Sequence, residues 1–206
     1  MISLVLPITF FLCFLALYLL APGNYLRVLS EDGIVEYLQV IVLVTGGVAA
    51  LLHYKQERHL MFLAWAIACF FVAAEEISWG QRILDIPIPD ALKPLNNQWE
   101  INLHNLHVVE YFLDAIWVAA GLTLIAGSKV SGKYFPPTYY FLYFLPVVIV
   151  YTWYLLLPYL PIPWFSWQHQ EAAEFFLYSG LAQWLVVLTF RAPDMGGKSR
   201  RGFRPC

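Results

Sequence analysis

Charge is what this sequence has least of. Asp, Glu, Lys and Arg make up 13% of its 206 residues, roughly half the ~25% usual in a soluble globular domain. That scarcity excludes a free-standing soluble domain, which needs a charged surface to stay in solution. Cysteine is almost as rare. Cys13 and Cys69 lie inside apolar runs, Cys206 is the last residue, and there is no C-x-x-C, so no disulfide framework is implied. Cys206 also lacks the C-a-a-X arrangement that would imply prenylation. A glycine-rich phosphate loop, G-x-S-x-G and H-E-x-x-H are all missing, which removes the common nucleotide-binding, serine-hydrolase and zincin readings. No basic stripe is present, and a nucleic-acid partner is not expected.

What fills the chain is hydrocarbon. The composition is 60% hydrophobic and 17% aromatic, with a mean hydropathy of +0.63. The expected fold class is all-α: a polytopic membrane protein built as a bundle of six transmembrane helices. The spans fall at about residues 2–21, 33–54, 60–81, 107–127, 138–157 and 168–190. Pro22-Gly23-Asn24 is a turn signal closing the first, and with no charged segment ahead of it this span reads as a retained helix rather than a signal peptide. The stretch 82–105 carries Pro87, Pro89, Pro94, Asn96 and Asn97 and is too polar to cross. Residues 1–190 form a single transmembrane domain, and 191–206 are a basic, glycine-rich tail expected to be disordered. Of the twelve Lys and Arg, all but Arg27, Arg82 and Lys93 fall on the side of the termini, which makes both termini cytoplasmic.

On that topology the intramembrane acids gather at one depth, near the outer face. Glu36 opens the second span, Glu75 and Glu76 end the third, His107 and Glu110 open the fourth, and His169, Glu171 and Glu174 open the sixth. Ionisable groups at such depth are costly and therefore paired or functional. The even-numbered spans share a glutamate followed by an aromatic residue, at Glu36, Glu110 and Glu174, which suggests three helical hairpins with their glutamates facing one interior. His104, His107, Glu110 and Asp114 share one helical face, as do Glu171, Glu174 and Tyr178. Glu75 and Arg82, seven apart, face alike on a continuous helix and could pair. Together Glu76, His107, Glu110, His169, Glu171 and Glu174 form a ligand set for a divalent metal, Zn, Mn or Fe, with Glu75, Glu76 and Arg82 as catalytic candidates. A metal-bound water would be acidified into a nucleophile, and a spare glutamate could serve as base.

Each residue also has an ordinary explanation. A glutamate in a helix's first turn gains about 0.3–1 kcal/mol from the helix dipole, which covers Glu36, Glu110, Glu171 and Glu174 but not Glu75 and Glu76 at a carboxyl end. His104, His107 and His169 can be interfacial residues, and His53 and His59 surface residues. Most of the eight Trp, including Trp79, Trp99, Trp164 and Trp167, read as an interfacial belt.

The block E-E-I-S-W-G-Q-R at 75–82, followed by N-N-Q-W-E-I-N-L-H-N-L-H at 96–107, resembles a group of uncharacterised bacterial multi-span membrane proteins. That resemblance implies a bacterial plasma membrane and brings no activity. A looser likeness is to the CAAX-type intramembrane proteases, whose E-E-x-x-x-R would match Glu75, Glu76 and Arg82 with two extra residues in the spacing. Their F-x-x-x-H motif has no counterpart at His104 or His107. Two function classes follow. The first is a metal-dependent membrane hydrolase acting on a lipid, lipid-linked or peptide substrate. The second is a non-enzymatic subunit of a larger membrane complex or homo-oligomer, its acids and histidines holding an ion, a proton, a pigment or a haem.

Overall fold

The computed structural model describes residues 2–30, 33–96, 98–130, 132–156 and 168–190, without the side chains of residues 2, 110, 111, 128 and 130. The tail at 191–206 and the Trp164 and Trp167 segment lie outside the described residues. The helices are α1 (Ile2–Leu20), α2 (Pro22–Val28), α3 (Ile34–Glu57), α4 (Leu60–Glu76), α5 (Gln81–Leu84), α6 (His107–Val130), α7 (Phe141–Leu156) and α8 (Gln168–Phe190). Among the described residues the one β feature is an isolated bridge between Asn96 and Leu106. The fold is all-helical.

Among the described residues four helices are long and apolar enough to cross a membrane: Ser3–Leu20, Ile34–Glu57, Thr138–Leu156 and Gln168–Phe190. A fifth crossing would be Leu60–Glu76 together with Ser78–Leu84, a pair bent by 63°. The third expected span is therefore not one straight helix to residue 81. The apolar part of α6 is Phe112–Gly127, about 24 Å at 1.5 Å per residue, short of the ~30 Å hydrocarbon thickness. Six clean spans were expected from hydropathy, and the difference lies in these two elements. The turn signal at Pro22 proves to be a helix start instead. Proline at the first helical position has no amide to leave unpaired and a φ already set for the helix.

The strongest helix pairs are α3 with α4, α3 with α8, α6 with α7 and α7 with α8. α4 and α6 are not a hairpin, so the expected partition into three consecutive hairpins is not the one that packs. Only Arg58 and His59 separate α3 from α4, with Arg58 left-handed at φ 56°, and so short a link forces antiparallel neighbours. α3 and α8 run parallel, as shown by Gln39 reaching the Glu171 backbone oxygen at 2.9 Å and Thr189 reaching that of Ala49 at 2.8 Å.

α8 is the central post. Its span is 72% buried against 6% for α1, which places α1 at the periphery, edge-on through Phe10 and Phe14 to Phe175 and Phe176. Small residues allow the close crossings: Gly46 of α3 lies against Ala182, and Gly180 against Tyr143 of α7. The aromatics also divide differently from a belt. Trp79 and Trp99 are exposed, but Trp184 is buried beside Trp65. His53 is not a surface residue; it is buried edge-on to Phe62, while His59 accepts the Met61 amide at 3.2 Å and stacks on Tyr134.

A Cβ at residue 180 would stand 2.4 Å from that of the fully buried Tyr143. Gly180→Ala should therefore destabilise the bundle by about 1–3 kcal/mol through overpacking, read as a lower thermal midpoint in detergent. Gly23→Ala meets nothing within 4 Å and should leave the midpoint unchanged or slightly raised.

Candidate functional site

The site begins where α4 ends. Ser78 and Trp79 have φ of 48° and 57°, and Gly80 has 81°. Only the glycine adopts that region without cost; each of the other two pays about 1–2 kcal/mol. The two glutamates before this break, adjacent residues of the last turn of α4, point about 100° apart and meet different partners.

Glu75 is buried and faces the 82–106 connection. Trp79 Nε1 donates to its Oε1 at 2.6 Å, and the Leu103 and His104 amides donate to Oε2 at 2.7 and 3.1 Å. His104 Nδ1 lies 3.4 Å from the same oxygen. Beside it Glu100, also buried, accepts from Ser78 Oγ and Asn102 Nδ2, both at 2.7 Å, and from Arg82 Nη2. Arg82 Nη1 lies 3.4 Å from Glu36 Oε1, so one guanidinium ties α3 to the connection. The connection is organised internally by buried Asn96, whose Oδ1 accepts the Gln98 and Glu100 amides and whose Nδ2 donates to the Glu100 backbone oxygen at 3.0 Å. Gln81 Oε1 accepts the Ile101 amide. The E-E-I-S-W-G-Q-R and N-N-Q-W-E-I-N-L-H-N blocks are thus two halves of one hydrogen-bonded cap.

Glu76 points the other way, into the bundle. One carboxylate oxygen from each of Glu76, Glu171 and Glu174 lies within 4.8 Å of the others. Tyr178 donates to Glu76 Oε1 at 2.9 Å, and Tyr151 of α7 donates to Glu174 Oε1. Gln39 Nε2 stands 3.5 Å from Glu171 Oε2. Trp117 of α6 closes the group, its ring 6.1 Å from that of Tyr151 and 5.9 Å from that of Tyr178. Glu174, Tyr151 and Tyr178 are buried; Glu76 and Glu171 are half-buried. Directly beside Tyr178 an apolar cavity of about 250 Å³ runs between α3, α4, α6 and α8, with Trp65, Cys69, Trp117 and Leu124 in its wall.

The expected ligand set is therefore divided. Glu76, Glu171 and Glu174 converge. His169 lies across α8 from them, its Nδ1 2.5 Å from Tyr25 Oη and its ring 5.7 Å from that of Tyr18. Burial first, then the neighbouring Tyr18 and Tyr154, pushes the Tyr25 phenol up, so Tyr25 keeps its proton, and the tautomer of His169 sets which of the two donates. His107 is exposed at the first residue of α6 and does not join the carboxylates. Glu110 lies on α6, its side chain outside the described residues. His104 precedes α6, so the expected His104–His107–Glu110–Asp114 stripe begins only at His107. Arg82 does not pair with Glu75, because the break after Glu76 removes the seven-residue facing of a continuous helix. Ser78, Glu100, Asn102, Gln39 and Tyr151 carry contacts that the sequence reading did not assign. The density of Asn and Gln in the connection is a signal that could have found Glu100 and Asn102; nothing distinguished Tyr151 from the belt aromatics.

No family model, curated protein or solved structure matches the chain.

Glu100→Ala would leave the Ser78 hydroxyl buried without its acceptor and the Asn102 amide with only Ser78 Oγ at 3.2 Å. Such orphaned donors cost about 1–3 kcal/mol, so the expected result is faster limited proteolysis between residues 83 and 105. Arg82→Lys, whose single ammonium cannot fork to Glu36 and Glu100, should produce the same cuts; Asp90→Asn, on an exposed side chain, should not.

Proposed function

We propose that the chain is a multi-pass membrane protein of six crossings with both termini cytoplasmic, and that Glu76, Glu171 and Glu174 bind a divalent cation near the outer face. The bent α4–α5 pair would supply one crossing and α6 another. The observation that supports this reading is the mutual approach of three carboxylates within 4.8 Å, contributed by two helices and steadied by tyrosine hydroxyls. The donors are all oxygen. Carboxylate and hydroxyl groups favour hard ions, so Mn²⁺, or Fe²⁺ among softer choices, fits better than Zn²⁺, whose protein sites rely on nitrogen and sulfur. His107 and His169, both away from the cluster, leave a haem or pigment ligand pair without support from the geometry.

The reaction class we favour is metal-dependent hydrolysis of a lipid or lipid-linked substrate. A bound cation would acidify a coordinated water, and whichever glutamate is not a ligand would take its proton. The apolar cavity that shares Tyr178 with the cluster suits the hydrocarbon part of such a substrate. Arg82 serves here as the clamp holding the cap over the site.

The test is Mn²⁺ titration of detergent-purified protein by calorimetry and electron paramagnetic resonance. Near-stoichiometric binding is expected, weakened at least about tenfold (about 1.4 kcal/mol) by Glu76→Gln or Glu174→Gln and unchanged by Asp90→Asn. Mn²⁺-dependent cleavage of a fluorogenic acyl ester in mixed micelles, lost in Glu76→Gln, would support the hydrolase. Wild-type protein that takes up no Mn²⁺ would overturn the metal reading and leave the carboxylates as a proton-sharing group.

A further inference from the structure

On the face of α8 opposite the carboxylates lies a second, larger cavity of about 510 Å³, within the ~300–1,000 Å³ range of small-molecule sites. α1, α7 and α8 wall it, with Pro7 and Pro146 in its lining; these are the prolines inside α1 and α7. Its walls are almost wholly apolar, and its polar groups are gathered at one end, where Tyr18, Tyr25 and His169 meet. Nothing in the proposed cation site uses His169 or this cavity. An apolar pocket with a few convergent polar groups is the usual form of a ligand site.

The dimensions name the occupant. From Pro7 to Tyr18 the cavity follows eleven residues of α1, about 16 Å at 1.5 Å per residue. One leaflet of a ~30 Å hydrocarbon core is about 15 Å deep. Ile8, Phe11 and Ile149, which line the cavity, also carry exposed apolar surface, so the space opens sideways to the surroundings of the bundle. The only apolar chains at that depth in a bilayer belong to lipids.

We propose that this groove holds one acyl chain of a membrane lipid. The methyl end lies toward Pro7 and the oxygen-bearing head group, a carboxylate or phosphate ester, lies at Tyr18, Tyr25 and His169. The proposal rests on the membrane placement above and is independent of the cation site. The Tyr18 hydroxyl and the Tyr25–His169 pair, acting as one unit, orient the head group through hydrogen bonds, and Ala172 and Ala173, small residues on the α8 wall, leave room for the chain.

The experiment uses the full chain in phospholipid nanodiscs with palmitic acid bearing a diazirine at its methyl end. Irradiation should label Ile8 and Leu142 or Leu145, and unlabelled palmitate should compete while inorganic phosphate should not. Ala172→Trp and, from the other wall, Leu145→Trp should each cut the labelling about fivefold or more with unchanged thermal midpoints, and His169→Phe should raise the competing palmitate concentration about tenfold. Label spread evenly over exposed residues such as Leu12 and Leu19, or unaffected by both tryptophans, would mean only bulk lipid contact and overturn the groove. Competition by phosphate alone would overturn it as well. A chain that does not enter nanodiscs would instead remove the membrane placement, a failure distinguishable from the others because no labelling is then measured.

Discussion

The arrangement depends on one interruption, the end of α4 after Glu76. Glu75 and Glu76 are both in the last turn of α4 and stand about 100° apart around its axis. The left-handed geometry of Ser78, Trp79 and Gly80 that follows them folds the connection back over one of the two, so Glu75 meets the amides of Leu103 and His104 while Glu76 meets Tyr178. The conformation is costly for Ser78 and Trp79, and the offset comes from what the break permits. Ser78 reaches Glu100, and Trp79 reaches Glu75. Net hydrogen bonds of about 1 kcal/mol each, more when the acceptor is charged, balance two residues at about 1–2 kcal/mol only if the connection is docked. The break and the cap therefore form together, and Arg82, holding Glu36 and Glu100 at once, joins both to α3.

α8 then divides the molecule into two chemistries. Glu171, Glu174 and Tyr178 follow spacings of three and four on the side facing α4, and His169, Ala172, Ala173 and Phe176 follow them on the side facing α1. A helix buried over most of its length can carry polar groups on one face only if neighbours satisfy them. Here they are supplied by Tyr151, Tyr178 and Gln39 on the acid side and by Tyr25 on the other. The aromatic hydroxyls are what allow so acidic a first turn to enter the bundle.

Much of this was legible in the sequence, and the limits have physical causes. Hydropathy located the long apolar helices, because burial in hydrocarbon demands nearly continuous apolar residues. Depth was legible too: Glu36, Glu76, Glu171 and Glu174 do gather at one end of the bundle, as the Arg82, Gln39 and Tyr178 contacts show. Rotation was not. Periodicity assigns residues to a face but does not say which neighbour the face meets, so His169 and Glu171, two residues apart, were grouped although they lie on opposite sides of α8. The helix break was hidden because E-E-I-S-W-G-Q-R has no proline, and its single glycine, Gly80, comes after the two residues that bear the unusual φ. The cap was visible only as an excess of Asn and Gln in a connection.

The three carboxylates pose a charge problem whose size can be judged. At a separation of 4.8 Å and an effective dielectric constant of about 20, two unit charges repel by about 3–4 kcal/mol, so three ionised groups carry on the order of 10 kcal/mol. A hydrogen bond to a charged group returns only about 1.5–3 kcal/mol, and the hydroxyls of Tyr151 and Tyr178 supply two of them. Arg82 of the cap is already committed to Glu36 and Glu100. With all three ionised, these hydrogen bonds and that of Gln39 to Glu171 do not offset the repulsion, and the balance comes either from protons held on the carboxylates or from a cation placed among them. The divalent ion proposed above would relieve the repulsion in one step and would bind more tightly the more of it is relieved. That is the physical reason for reading the cluster as a cation site rather than as three helix-end glutamates that happen to be neighbours.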